Sequence, residues 1–457
     1  MTQDLPEYLA RGERARLFPV LADTSKEGRS TSITLSCLAH VREFAESLLG
    51  TVGQRIGKTG KLECYTEIAF PKGPDIKDVR PDGLIVLKVG NRQWRALVEA
   101  KVGNNELGAD QVVSYLELAK ANGIDAVITI SNQFAATPSV HPVAAPAKLT
   151  SKVALFHWSW MHILTTADLL LSNEEVADED QKVILNEMRR FLTHPSAGLK
   201  GFDSMPAAWT ELVQAIADGS KFSAKSPVAQ EAVGAWYEEV RDLSLILSRK
   251  IARSVDLKLP RAHAKSHEDR LKSDLEALIE NHCLTVVLDI PDAASVITVT
   301  ADVRAKSISA SMRLRAPEDK QSTKARLNWL LRQIQAVEDV ADLHVRLFWP
   351  GRGSYSQHSV AELRATPEKA GADKNGVVPH TFEVCVVRQL GGRFGQRKNF
   401  IVDLETIVPA FYENVGQRLK MWQASAPRVR EERSESVGGI EHVREAAEEE
   451  SRTEAAE

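Results

Sequence analysis

The stretch RPDGLIVLKVGNRQWRALVEAK, residues 80–101, holds two acids and a lysine at spacings that a β-hairpin would bring together. Gly90-Asn91 lies between two β-rich runs, and glycine at the first central position suits a two-residue type II′ turn. That loop sets Asp82 directly opposite Glu99, roughly 5 Å away at Cβ and on the same face of the sheet. Lys101, two residues beyond Glu99, points to that face too. Leu84 and Leu97 share it and keep it partly dry, while Ile85, Leu87, Val89, Trp94, Ala96 and Val98 form an apolar set on the other face. Two close carboxylates repel unless a cation lies between them or one takes a proton. A hard divalent ion, Mg²⁺ or Mn²⁺, solves this with one or two carboxylates, a backbone carbonyl and several waters. Such an ion binds a phosphate oxygen, lowers the pKa of bound water and offsets charge growing in the transition state. With a lysine beside it to orient or deprotonate the attacking water, the chemistry is metal-dependent phosphodiester hydrolysis.

The elements that must position these residues are legible around them. Residues 32–49, SITLSCLAHVREFAESLL, carry apolar side chains at helical spacing, with Ser32 as the expected N-cap and Gly50 as the stop. Strands are expected at 62–70, 83–89, 93–101 and 126–131, with a helix at about 108–120. A further strand at 152–160 follows a loop containing Pro138, Pro142 and Pro146, and the first boundary is expected near residue 165. Residues 166–280 read as mostly helical. Residues 281–423 read as an α+β domain, with strands at 284–290, 295–305 and 307–316, the helix KARLNWLLRQIQAV, and a hairpin-like pair of TFEVCVVRQL with FIVDLE. Residues 424–457 are rich in Glu and Arg and are expected to form a disordered or weakly helical tail.

Pro81-Asp82 followed by Glu99-Ala100-Lys101 at the end of the next strand resembles the PD-(D/E)XK nuclease motif, and Gln111-Val-Val-Ser-Tyr115 resembles the QxxxY element of the RecB-like branch of that superfamily. Positions i and i+4 leave one helix face and can address a single site. Other D/E-x-K tripeptides (Asp75 to Lys77, Asp256 to Lys258, Glu318 to Lys320) lack the upstream PD and the following QxxxY. The resemblance covers roughly residues 25–165. It implies a restriction-endonuclease-like α/β domain of a mixed sheet flanked by helices, Mg²⁺ dependence, and cleavage of DNA or, less often, RNA. Carried over by the resemblance, Asp82 and Glu99 are metal ligands, the Ala100 carbonyl is a third, and Lys101 is the catalytic lysine. Gln111 and Tyr115 steady the lysine or the nucleic-acid backbone. An extra acid often comes from the preceding helix or strand. Glu27, Glu43, Glu46, Glu63 and Glu67 compete for that role, and Glu27 and Glu67 are favoured. On period-two alternation Glu63, Tyr65 and Glu67 share one strand face, and Leu62, Cys64, Thr66, Ile68 and Phe70 the other.

Composition narrows the remaining classes. In 457 residues, 58 Lys+Arg against 62 Asp+Glu leave a formal charge of −4, and no apolar run is long enough to span a membrane. The acid-bearing N-terminus lacks a secretory apolar region, and Cys37, Cys64, Cys283 and Cys385 form no C-x-x-C pair, so a cytoplasmic setting is expected. Residues 427–457 hold ten Glu and five Arg, so the acidic total mostly reports the tail, while residues 241–332 carry 17 Lys+Arg and 12 Asp+Glu. A modestly basic face can therefore hold a phosphate backbone by local contacts. GGRFGQRKN lacks the ending of a phosphate-binding P-loop and reads as a hairpin loop. His263 and His267, four apart, would suit a metal only on one helix, and they read as part of a solvated basic segment. His157, Trp209, Trp236, Trp329 and Trp349 read as packing. A nuclease-fold scaffold without activity and a phosphodiesterase for a small nucleotide are the rival functions. The central and C-terminal regions are expected to select substrate, form a homo-oligomer or contact a protein partner.

Overall fold

The computed structural model describes residues 6–19, 25–70, 80–220, 222–338, 341–351 and 355–424. The N-terminal layer runs β1 (Arg11–Arg14), α1 (Lys26–His40), α2 (Arg42–Thr51), β2 (Lys61–Ala69), β3 (Gly83–Val89), β4 (Arg92–Ala100), α3 (Ala109–Ala121), β5 (Ala126–Ser131), α4 (Ala147–Thr150) and β6 (Ala154–Ser159). Its six strands pair in chain order, antiparallel from β1 to β4 and parallel from β4 to β6. The change of direction follows from the connections. A two-residue turn joins β3 to β4, whereas β4 reaches its parallel neighbour only through the crossover helix α3. Gly90 takes φ +59° and Asn91 keeps a negative φ, as a type II′ turn requires.

Period-two alternation buries both faces of this sheet. Leu84, Val86, Leu97 and Val127 pack under Val112, Tyr115, Leu116 and Ala119 of α3. Ile85, Ala96, Val98 and Ile128 pack under α1 and α2 on the other side. The same core takes in α5 (Trp160–Ser172) and α6 (Glu179–Thr193). Position 165 therefore lies inside α5, and the N-terminal core continues to Leu199.

The expected helix at 32–49 is two helices. Val41 breaks it with extended backbone (φ −105°, ψ 105°), and α1 begins at Lys26, ahead of Ser32. Serines and threonines compete for the backbone and so suggest a cap. Here two of these hydroxyls are occupied otherwise. Thr31 donates to the Glu27 carbonyl, and Ser32 Oγ accepts from Arg16 N at 2.9 Å and donates to Arg16 O at 3.0 Å. Gly50 lies inside α2 and does not end it. In β2 a bulge shifts the register between Arg11↔Ala69 and Glu13↔Thr66. Tyr65 and Ile68 consequently fall in the α3-side core together, against strict alternation, and Glu67 takes φ +51°.

The C-terminal layer holds α7 (Ala207–Ala217), α8 (Pro227–Ile251), β7 (Asp256–Leu257), α9 (Arg261–Lys265), α10 (His267–Asn281), β8 (Cys283–Asp289), β9 (Ile297–Asp302), β10 (Ser307–Arg315), α11 (Thr323–Gln333), β11 (Leu343–Phe348), β12 (Ser356–Ser359), α12 (Val360–Ala365), β13 (Thr381–Gln389) and α13 (Arg397–Asn414). Its sheet is antiparallel throughout in the order β12-β11-β13-β10-β9-β8-β7. FIVDLE is not the partner of β13. Phe400, Ile401, Leu404, Val408 and Phe411 recur at helical spacing and belong to α13. The GGRFGQRKN segment thus leads from strand to helix, with Arg393 paired to Asp403 and Arg397 donating to the Met205 carbonyl. Ser266 separates His263 on α9 from His267 on α10, so no single helix face carries both, and His267 lies edge-on to Tyr237.

Met1–Met421 form one compact unit, and nearly all of the charged tail lies outside the described residues. No helix among the described residues is long and apolar enough to cross a membrane.

Gly83 opens β3 beneath Leu35 of α1. A Cβ there would meet Leu35 Cδ1 at 2.4 Å and the Tyr65 carbonyl at 3.0 Å. Gly83→Ala should therefore cost about 1–3 kcal/mol by overpacking. Denaturant unfolding checks this, and an unchanged midpoint would show that α1 has room to move.

Candidate active site

The β3–β4 register pairs Gly83 with Val98 and Leu84 with Leu97, so Asp82 and Glu99 are the next positions in line, on the face that α3 covers. Past Gly83 the ladder ends, and the Ala100 N–H finds the Asp82 carboxylate, donating to Oδ2 at 2.8 Å. Ala100, the last residue of β4, is fully buried.

Glu99 is 2% exposed. Its Oε1 accepts from Lys101 Nζ at 2.6 Å and from Gln111 Nε2 at 2.7 Å. Its Oε2 is buried and has no hydrogen-bond partner among the described residues. Gln111 Nε2 also donates to the Tyr115 hydroxyl at 3.3 Å, so one turn of α3 holds both QxxxY side chains against the β4 carboxylate.

Glu27 arrives from the first turn of α1, on the opposite side of the sheet, around the strand ends. Its Oε1 accepts from Asn105 Nδ2 at 2.7 Å, and its Oε2 lies 3.8 Å from Lys101 Nζ. Lys101 is held in turn through its backbone, its N–H on the Ile130 carbonyl at 2.8 Å and its carbonyl accepting from Trp160 Nε1 at 2.7 Å.

Asp82, Glu99, Lys101, Gln111, Tyr115, Ala100 and Glu27 are thus brought together. Glu67 is not. The bulge turns it to an exposed position that shares a cavity with Asp82, and its carboxylate bonds to neither Glu99 nor Lys101.

Burial, followed by the charge of Glu99, pushes the Asp82 carboxyl up to about 7. Burial works to lower the pKa of Lys101, but its bond to Glu99 and the charges of Glu27 and Asp82 outweigh this and hold it above the ordinary lysine value. Burial and the Glu99 charge also raise the Tyr115 phenol. The site thus keeps an ammonium and a neutral phenol beside the Asp82 carboxyl, which is held toward its neutral form.

The donor set suits a hard divalent cation: buried carboxylate oxygens, one of them orphaned, beside a strand end. Among the described residues no three His, Cys, Asp or Glu side chains already stand at metal-binding spacing. Two carboxylates with water completing the shell is a normal Mg²⁺ arrangement.

Two groups near the site had no sequence signal strong enough to single them out. Asn105 follows β4 in an ordinary GNNE loop and fixes Glu27. Thr129 is the β5 neighbour of Glu99, and its hydroxyl meets His157 Nδ1 and His141 Nε2, each at 2.8 Å. His157 is buried, and burial drives its pKa down to about 3, so it stays neutral and packs as expected. No protein-family model matches the chain, and no curated protein or solved structure is significantly similar to it.

Because Asp82 holds its proton more tightly folded than unfolded, the native state binds the extra proton between about pH 4 and pH 7. Stability should fall as pH rises through that window, by at most about 1.4 kcal/mol for each pH step of one. Asp82→Asn should flatten the fall. Thermal unfolding from pH 5 to pH 8 measures it, and parallel slopes for the two proteins would remove Asp82 as the cause.

Proposed function

We propose that the chain is a Mg²⁺-dependent nuclease of the PD-(D/E)XK type that hydrolyses phosphodiester bonds in DNA, and that its N-terminal layer is a restriction-endonuclease-like domain. The observation that carries this reading is the half-buried Asp82 beside buried Glu99, with the orphaned Glu99 Oε2 and Lys101 alongside. The order of helix, three antiparallel strands, crossover helix and parallel strand supports it. Asp82 and Glu99 would hold the ion, with the Ala100 carbonyl beside them. A bound Mg²⁺ supplies Lewis acidity toward a phosphate oxygen and a water of lowered pKa.

The chain's own residues do the rest. Lys101 is kept as an ammonium by three carboxylates, so it donates to the attacking water or to a phosphate oxygen and offsets charge as it grows there. Gln111 fixes the rotamer of Glu99, and Tyr115 steadies Gln111. Glu27, anchored by Asn105, bounds the other side of Lys101 and limits where its ammonium can swing.

Purified protein should cleave DNA in Mg²⁺ or Mn²⁺. Asp82→Ala, Glu99→Ala and Lys101→Ala should each lower the rate by roughly a hundredfold or more. Lys101→Ala should keep the thermal shift produced by the metal, whereas Asp82→Ala should lose it. Equal cleavage by wild type and Lys101→Ala would sink the assignment.

A further inference from the structure

The run RGERAR at 11–16 forms a strand and its exit, and its arginines line a cavity that Asp82 also lines. The cavity is about 340 Å³, and Arg11, Arg14, Arg16, Thr66, Glu67 and Asp82 are among the residues that line it. Two features fix this run in place. The β1–β2 bulge sets Arg11 against Ala69 but Glu13 against Thr66. Buried Ser32 of α1 then clamps both the N–H and the carbonyl of Arg16, at 2.9 and 3.0 Å. The helix that presents Glu27 to Lys101 thus also sets the position of these arginines.

Their guanidinium groups are incompletely used. Arg11 makes no ion pair or side-chain hydrogen bond among the described residues. Arg14 gives one nitrogen to Glu63 at 3.0 Å. Arg16 pairs with Glu13 at 3.3 Å, and both side chains are more than half exposed. An exposed pair of that kind contributes little, and a phosphate accepting a fork of two hydrogen bonds competes with it well. Glu13 and Glu67, which also line the cavity, disfavour loose anion binding, so an anion is favoured only where it can reach the arginine forks.

We propose that Arg11, Arg14 and Arg16 form a subsite for a phosphate neighbouring the one that reacts, so that the substrate is a polynucleotide strand and not a small phosphodiester. This rests on the nuclease reading, which places the reacting phosphate at Asp82. Asp82 and the three arginines line the same cavity, so a strand with one phosphate at Asp82 has its next phosphate within the space the arginines border. A small diester has no second phosphate to place there and gains nothing from them.

The test compares wild type with Arg11→Gln/Arg16→Gln in Mn²⁺, on a short labelled single-stranded oligonucleotide and on bis-p-nitrophenyl phosphate. The ratio of kcat/KM for the oligonucleotide to that for the small diester should fall about tenfold or more, through KM. The salt dependence of oligonucleotide binding should lose a slope of about 1.4, two contacts' worth for a single strand. Arg11→Lys/Arg16→Lys should recover part of both. An unchanged ratio, or an equal loss on the two substrates, overturns the subsite. Binding of the oligonucleotide to the Lys101→Ala protein, followed by fluorescence anisotropy, separates this result from the nuclease reading. If arginine-dependent binding occurs without any metal-dependent cleavage by wild type, the subsite stands and the nuclease reading fails. If wild type cleaves and binding ignores the arginines, the reverse holds.

Discussion

Two carboxylates forced side by side in the dry end of a sheet are the constraint around which the N-terminal layer is organised. Leaving an ionised carboxylate buried without partners costs several kcal/mol, and a second one beside it adds repulsion. The structure offsets this in several ways. The Ala100 N–H goes to Asp82, the Lys101 ammonium and the Gln111 amide go to Glu99, and Asp82 shifts toward its neutral form. One oxygen, Glu99 Oε2, is still left over. Packed apolar side chains would serve stability at least as well at this position, so the presence of the pair agrees with the proposed metal chemistry.

The surrounding architecture follows from holding that pair. α3 must lie on the acid-bearing face, because Gln111 and Tyr115 reach Glu99 only from there, and the parallel step from β4 to β5 supplies this helix as its crossover. α1 covers the other face yet contributes Glu27. It can do so because its first turn overhangs the strand ends and Gly83 lets it lie close to β3. The small hydroxyl side chains of α1 allow the same close approach and fasten the chain after β1 through Ser32. One helix thereby couples Glu27, Lys101 and the cavity arginines.

Charge is arranged locally and not globally. A chain with formal charge −4 has little long-range attraction for a polyanion. The arginines of the first strand lie instead on the same cavity as Asp82, where short-range hydrogen bonds can act.

Strands β2 to β6 of the N-terminal layer and the β3–β4 register were legible in the chain itself, whereas the edge strand β1 was not, since RGER carries no apolar alternation. Alternation over residues 83–100 and the Gly90-Asn91 turn admit one pairing, and a one-residue slip would turn Glu99 into the apolar face. The pairing of Asp82, Glu99 and Lys101 follows from that register, and Gln111 with Tyr115 from helical spacing. Other features depended on contacts between residues far apart in sequence. The break at Val41, the helical path of FIVDLE and the β2 bulge each depend on what packs alongside, and a local pattern cannot report that. Period-two alternation assigned Ile68 to the wrong face because a single inserted residue inverts every side chain beyond it. The choice of Glu27 over Glu67 was likewise tertiary. Both acids flank the site in sequence, but only the helix that passes the strand ends brings its carboxylate within 3.8 Å of Lys101.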